Sequence, residues 1–285
     1  MPEQSSSEYT RFFRADDLGV LECQEARFHK YEFAPHFHEE YVVNTLLDGV
    51  QSYRYRGSAY QAGCGSLVLV NPGAVHTAQA GTAHGWSYLG FHVSAEFMRG
   101  LACELSGRSA VEPFFRETVA LDPELGLRLA RLHRVLLGSE DRLLRESSLY
   151  EVFGDVLRRH MQTAELREDA GCPAGLARVR VLLADRLADN LSLQELAREA
   201  GLSPYHMNRM FRQAFGLPPI AWRNQLRVVA ARKLLAQGLG PAEVALRVGF
   251  ADQAHLTRAF RSALGITPAA YQKANNARSF KTGPS

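Results

Sequence analysis

The feature that most constrains this chain is an internal repeat near its C-terminus. Leu196-Ala197 and Gly201-Leu202 return at a spacing of 48 as Val244-Ala245 and Gly249-Phe250. Arg209, Phe211, Gly216 and Trp222 return at a spacing of 49 as Arg258, Phe260, Gly265 and Tyr271, so one residue is inserted in the intervening turn. Each copy predicts a helix, a tight turn holding a glycine, and a second helix. In the first, Leu193, Leu196 and Ala197 are expected to face inward, Gly201 lets the chain reverse, and Ser203 caps a helix through Phe215. In the second, Val244, Ala245 and Val248 take the inward role, Gly249 turns, and Asp252 caps a helix to Leu264. The last third of the chain is therefore an all-helical unit containing a helix-turn-helix written twice.

Between the copies, Pro219 to Gln237 predicts a long apolar and basic helix carrying Arg223, Arg227, Arg232 and Lys233. At 1.5 Å per residue it is a rod of roughly 28 Å, close to the roughly 34 Å that separates successive major-groove openings on one side of B-form DNA. The charge agrees. The net charge of the whole chain is only +3, but residues 176–285 hold 16 Lys and Arg against 6 Asp and Glu, a net of +10. Residues 1–175 hold 17 against 24, a net of −7. A basic third joined to an acidic front is the layout of a polyanion-binding module attached to a different kind of domain.

At 285 residues two domains are expected. Residues 18–93 read as short strands: Tyr41 to Leu47, Val50 to Arg56 and Leu67 to Val70 are β-branched or aromatic, with Asp48-Gly49 as a hairpin signal between the first two. Glycines and Asn71-Pro72-Gly73 punctuate the rest at the spacing of an antiparallel barrel or sandwich. Residues 94–161 turn helical. Asp122-Pro123-Glu124 starts a helix with Leu125, Leu129, Leu132 and Leu136 on one face, and Ser139 is read as the cap of a second whose stripe includes Leu149, Val152, Phe153, Val156 and Leu157. These helices pack on the strands or pair two copies of the chain. Residues 162–175 are the expected linker, 176–275 the double helix-turn-helix domain and 276–285 a tail. The fold class is thus α+β in front and all-α behind.

Several classes are excluded. The longest apolar runs fall far short of the roughly 20 residues of a membrane span. The N-terminal MPEQSSSEYTRFFRADD lacks a basic region followed by an apolar stretch, so no secretory signal is read and the expected location is cytoplasmic. Cys23, Cys64, Cys103 and Cys172 form no C-x-x-C pair. No P-loop, dinucleotide fingerprint or nucleophile-base motif appears, no cofactor is called for and the chain is not read as an enzyme.

The stretch ARKLLAQGLGPAEVALRVGFADQAHLTRAFRSALGITPAAY resembles the signature of the AraC/XylS family of transcription regulators, and SLQELAREAGLSPYHMNRMFRQAFGLPP is similar to that family's first helix-turn-helix. The resemblance covers residues 176–275 and includes both glycines, both phenylalanines and the closing Thr267-Pro268. It implies two recognition helices in successive major grooves of double-stranded DNA, with Tyr205, Asn208 and Arg209 facing bases from the first and Gln253, Ala254, His255 and Arg258 from the second. The chemistry suits most of these: arginine pairs with guanine O6 and N7, asparagine or glutamine with adenine N6 and N7. Arg212, Arg261 and Lys233 suit phosphates, which position without specifying sequence.

In the front half, His36-Phe37-His38, Glu39-Glu40 and a later Asn71-Pro72-Gly73-Ala74-Val75-His76 resemble the two motifs of a cupin barrel (jelly roll), the sensor commonly fused to the DNA module just described. The resemblance implies a small-molecule effector inside the barrel. The ligands of a metal would be His36, His38 and His76, but the glutamates directly follow His38 instead of standing three or four residues on, and no complete metal set is read. Three roles stay open for these histidines: structural, lining an effector pocket, or ligating a divalent metal. Along Trp86 to His92, alternation puts Trp86, Tyr88 and His92 on one side and Leu89, Phe91 and Val93 on the other; the first set suits a small polar effector or an outer face against the helices. Tyr53 and Tyr55, opposite Arg54 and Arg56, carry the same ambiguity. The expectation is an effector-controlled regulator, more an activator than a repressor, that binds direct half-sites as a homodimer and works with RNA polymerase. The competing expectation is a metal-dependent cupin enzyme or metal sensor tethered to a DNA-binding domain.

Overall fold

The computed structural model of the chain describes residues 8–15, 18, 21–109, 111–163, 174–189 and 191–279. Two compact units are present: Met1–Glu32 with His38–Leu166, and Phe33–Phe37 with Arg167–Ser285. In chain order the elements up to the middle of the molecule are β1 (Tyr9–Arg14), β2 (Leu21–Phe28), β3 (Phe33–His36), β4 (Tyr41–Tyr55), β5 (Ser58–Gly63), β6 (Ser66–Val70), β7 (His76–Ala80), β8 (Trp86–Val93), α1 (Ala95–Ser106), β9 (Pro113–Phe115), β10 (Val119–Leu121), α2 (Pro123–Gly138), α3 (Arg142–His160) and β11 (Met161–Thr163). All but β3 lie in the first unit.

The strand order β1-β2-β8-β4-β6-β10 makes one antiparallel sheet. The far half of β4 leaves it to pair with β5 and β7 in a second sheet. The bend falls at Asp48-Gly49, where a hairpin was expected. The structure corrects that reading: β4 runs through as one strand with a bulge between Leu46 and Asp48. Gly49 holds a φ of 72° and its missing side chain lets the Gly85 carbonyl lie against the backbone. A local turn signal thus became a corner at which one strand changes sheets. The bulge also shifts the alternation, so Asn44 and Leu46 before it share a face with Gln51, Tyr53 and Tyr55 after it.

One face of the larger sheet is covered by helices. Leu21, Cys23, Tyr41, Val43, Phe91 and Val93 join Met98 of α1, Leu125, Leu129, Leu132 and Leu136 of α2 and Leu149, Val152 and Phe153 of α3 in one core. Each such side chain contributes about 1.5–3 kcal/mol when fully buried. Asp122 caps α2 by accepting from the Leu125 N–H at 3.0 Å, and Pro123 follows it as the first helical residue. Close approach of α2 to β4 requires Gly126, where a Cβ would come within 2.7 Å of Thr45 Oγ1. Ser139 ends α2 and does not cap α3; Asp141 does, accepting from the Leu144 N–H at 3.1 Å. Arg159 and His160 at the end of α3 reach back to Asp122 at 3.2 and 3.1 Å. Burial alone would raise the Asp122 carboxyl, but the Leu125 N–H, His160 and Arg159 outweigh it and hold the pKa below the usual value.

The second unit continues with α4 (Ala174–Asp185), α5 (Leu193–Ala200), α6 (Pro204–Phe215), α7 (Pro219–Ala236), α8 (Pro241–Arg247), α9 (Gln253–Leu264) and α10 (Pro268–Ser279). The two helix-turn-helix copies are α5-α6 and α8-α9. Their turns match bond for bond. Leu202 N donates to Ala197 O at 2.9 Å and Phe250 N to Ala245 O at 2.8 Å, while Gly201 and Gly249 take φ of 68° and 88°. Phe211 and Phe260 are fully buried and meet Trp222 and Tyr271 edge-on, with centroids 6.1 and 5.4 Å apart. One inward assignment is corrected: Leu193, the first residue of α5, is 42% exposed, because only Leu196 and Ala197 of that short helix reach the interior. Among the described residues Cys23, Cys64 and Cys103 form no disulfide, whereas Cys172 and most of the expected linker lie outside them. No helix among the described residues is long and apolar enough to cross a membrane.

Candidate functional site

Two sets of residues stand out, one in each unit. In the helical unit, α6 and α9 are presented alike. Ser203 accepts from the His206 N–H at 3.3 Å and Asp252 from the His255 N–H at 2.6 Å, fixing where each helix starts. Gly216 and Gly265 end them in the left-handed conformation, each N–H donating at 2.8 Å to the carbonyl of Arg212 or Arg261. The inner face of each helix is spent on the core through Met207 and Phe211, and through Leu256 and Phe260. The opposite face exposes Asn208, Arg209 and Arg212 on α6, and Gln253, Ala254, Arg258 and Arg261 on α9. His255 is half-buried, its ring against Phe250 at 4.9 Å. The backbone of Tyr205 is helical, but its side chain lies outside the described ones.

The connecting helix departs from the sequence reading. Arg223, Arg227 and Arg232, whose charge counts towards the basic third of the chain, are all buried. Arg223 Nη1 donates to Asp189 O at 2.9 Å and Arg227 Nε to Leu187 O at 2.9 Å. These guanidiniums bond backbone carbonyls just after α4, and Arg227 also lies 5.7 Å over the Phe250 ring. Burial, reinforced by the neighbouring charge of Arg223, lowers the pKa of Arg227 to about 10, which leaves it charged at neutral pH. Two of the positive charges counted towards a polyanion surface are therefore structural fasteners.

In the first unit, the face of the larger sheet opposite the helices is polar and buried. Cross-strand register sets Glu22, His92, Val42 and Val70 in one row and Gln24, Gly90, Asn44 and Val68 in the next. Tyr88 and Trp86 continue along β8, and Tyr88 shares a hydrogen bond with Gln24. Burial pushes the Tyr88 phenol well up, so it stays protonated. The smaller sheet adds Gln51, Ala62 and Ala78, all buried. Asn44 Oδ1, Gln51 Oε1 and Trp86 Nε1 are buried with no hydrogen-bond partner among the described residues. Leaving such groups unmatched costs about 1–3 kcal/mol each, so each calls for a partner such as a water, an ion or a ligand.

The predicted effector residues divide. His38 stands between His76 and His92, with ring centroids 5.2 and 4.9 Å away. His76 Nδ1 is 2.9 Å from Ala74 O, and burial lowers its pKa to about 4, so it is neutral at pH 7. His36 is buried with its Nδ1 2.8 Å from Ala34 O. Trp86, Tyr88 and His92 share the polar face, as alternation implied. Tyr53 and Tyr55 also point inward, but their hydroxyls are engaged. Tyr53 donates to Thr118 O at 2.8 Å, and Tyr55 accepts from Asn71 Nδ2 at 3.1 Å. They anchor the segment around β9 and β10. Glu22, Gln24, Asn44 and Gln51 were missed; the signal was polar residues spaced by two in strands flanked by apolar neighbours.

Comparison with known proteins bears on both units. The AraC-like ligand binding domain matches residues 18–153, and a helix-turn-helix domain matches residues 196–274. The chain belongs to the AraC family of transcriptional regulators. It is thus a DNA-binding regulator with an N-terminal ligand-binding domain, in a family that is not enzymatic. The HTH-type transcriptional regulator YbfI of Bacillus subtilis is 28% identical over 248 residues, 87% of this chain and 90% of that protein. The arabinose operon regulatory protein of Escherichia coli is 26% identical over 242 residues, 81% of this chain and 80% of that one. Among solved structures, an apo form of ToxT from Vibrio cholerae superposes with a TM-score of 0.60 at 13% identity, covering 89% of this chain and 97% of ToxT. A ToxT structure bound to (E)-4-(8-methylnaphthalen-1-yl)but-3-enoic acid gives 0.58 at the same identity, covering 90% and 99%. The α+β front and all-α back of this AraC-family chain are the fold those structures share.

Proposed function

We propose that this chain is an effector-controlled activator of transcription that binds direct DNA half-sites as a homodimer and works with RNA polymerase. The observation that carries the proposal is the paired presentation of α6 and α9: matched caps, matched left-handed ends and matched aromatic anchors, with different polar side chains on each outer face. In this reading Asn208 and Arg209 contact bases from the first helix and Gln253, Ala254 and Arg258 from the second, with Tyr205 and His255 beside them. Arg212 and Arg261 hold phosphates. The connecting helix α7, 18 residues and about 27 Å long, suits two readers one duplex turn apart.

The effector is a small polar molecule held between the two sheets, against Trp86, Tyr88, His92 and His38. The buried, unmatched Trp86 N–H, Asn44 carbonyl and Gln51 carbonyl support that placement, since they offer one donor and two acceptors. A homodimer is supported by apolar side chains left exposed on the helical pair, Leu127 and Leu137 of α2 and Leu143, Leu144 and Tyr150 of α3. Effector binding shifts the population of DNA-competent dimers.

The test is selection of duplexes from a random pool by the full chain. The expected result is an enriched site made of two direct half-sites, each with two parts about one helical turn apart. Affinity for it should fall about 10³- to 10⁵-fold between 50 and 200 mM salt if some six to ten phosphates are contacted. A pool that stays random after repeated selection rules the proposal out.

A further inference from the structure

We propose that the first unit binds one divalent transition-metal ion through His38, Glu40 and His92. One ligating atom from each lies within 4.8 Å of the other two. Two imidazoles and one carboxylate form a donor set suited to zinc, iron, cobalt or nickel rather than to magnesium or calcium, which favour all-oxygen sites. Three donors held tetrahedrally at bonds of about 2.1 Å stand about 3.4 Å apart, so the groups need to close by at most about 1.4 Å, a matter of side-chain rotation.

The fold explains why they meet. His38 and Glu40 lie two residues apart just before β4 and straddle the exposed Glu39. His92 is next to last on β8, and its register partner is Val42, so the start of β4 and the end of β8 come together at one end of the central strands. Glu22, at the start of β2, pairs with His92 from the other side and is buried. His76 brings a further ring within 5.2 Å of His38. Three protein ligands leave coordination positions open, where a chelating group of the effector, such as a carboxylate or hydroxyl, completes the sphere. The sequence reading grouped His36, His38 and His76; the geometry brings in His92 and Glu40, which come from a different strand and from the glutamate pair judged to be out of register.

This inference rests on the ligand-binding reading of the same space, and its test uses neither DNA nor effector, so that the two can fail separately. The full chain, freed of any tag and stripped with chelator, is titrated with Co²⁺ and followed by visible d–d absorption, then by displacement with Zn²⁺. One equivalent should bind saturably. His38→Asn and His92→Asn should weaken binding at least 10-fold, and Glu40→Gln about as much. Thermal melts control for folding: without metal the variants should melt near the wild-type temperature, and Co²⁺ should raise the melting temperature of the wild type only. Absence of saturable binding by the wild type overturns the proposal. So does undiminished binding by both histidine variants. If the variants fail to fold, protection of His38 and His92 from diethylpyrocarbonate by Co²⁺ in the wild type decides, and equal modification with and without metal rejects it.

Discussion

The two helix-turn-helix copies of the second unit share a scaffold and differ in how it is held. The first copy secures its own ends. Its leading helix α5 starts with a reciprocal cap in which Ser192 and Glu195 bond each other's backbone, and Gly201 turns in open space, needed only for its left-handed backbone. The second copy leans on its neighbours. Its leading helix α8 follows Gly240 without a side-chain cap, but a Cβ on Gly249 would stand 2.6 Å from Ala188 Cα and 2.8 Å from Arg227 Nη2. Arg227 in turn bonds Leu187 and covers Phe250. The difference teaches that the repeated residues specify the motif, while the unrepeated ones decide whether its stability is local or borrowed from the connecting helix.

The largest effect expected is from the repeated aromatics. Phe211→Ala and Phe260→Ala should each cost about 3–5 kcal/mol in denaturant unfolding, since both rings are fully buried. Similar losses support equivalent scaffolds; a small loss at one would break the equivalence. The turn glycines should then separate the copies. Gly201→Ala should cost about 1–2 kcal/mol for the left-handed backbone alone, whereas Gly249→Ala adds about 1–3 kcal/mol of overpacking against backbone. Equal costs would contradict the tighter docking of the second turn. Next come the exposed arginines. Arg209→Ala and Arg258→Ala should each relax base preference by about 1–3 kcal/mol, at different positions of the site, while Arg212→Ala and Arg261→Ala should weaken all sequences alike. The caps come last: Ser203→Ala and Asp252→Ala should cost roughly 1 kcal/mol each, as read by thermal melts.

How much of this was legible in the sequence depended on whether the information was local. Both recognition helices, their caps Ser203 and Asp252 and their glycine turns could be placed because a few adjacent residues determine them. The same holds for Asp122-Pro123 at the head of α2. The hairpin at Asp48-Gly49 failed because what keeps β4 running through the bulge is the carbonyl of Gly85, 36 positions further along the sequence. Arg223 and Arg227 were misplaced for a related reason. Charge along a helix does not reveal that the carbonyls of Leu187 and Asp189 will be there to receive it. The polar residues of the ligand-binding domain were the hardest. In LECQEARF the alternation of Glu22 and Gln24 with apolar neighbours reads as a solvent face, yet both side chains are buried, and burial by distant segments leaves no mark in the local sequence.

In the proposed function one chain carries two readers with separate base preferences. The most direct measurement takes the selected DNA site, changes each base pair in turn, and compares competition binding by wild type, Arg209→Ala and Arg258→Ala. Wild type should discriminate, in each half-site, at two clusters of positions about one helical turn apart, and each variant should lose discrimination in a different cluster while keeping it in the other. Loss at the same positions in both variants, or a uniform loss with discrimination intact, would contradict it.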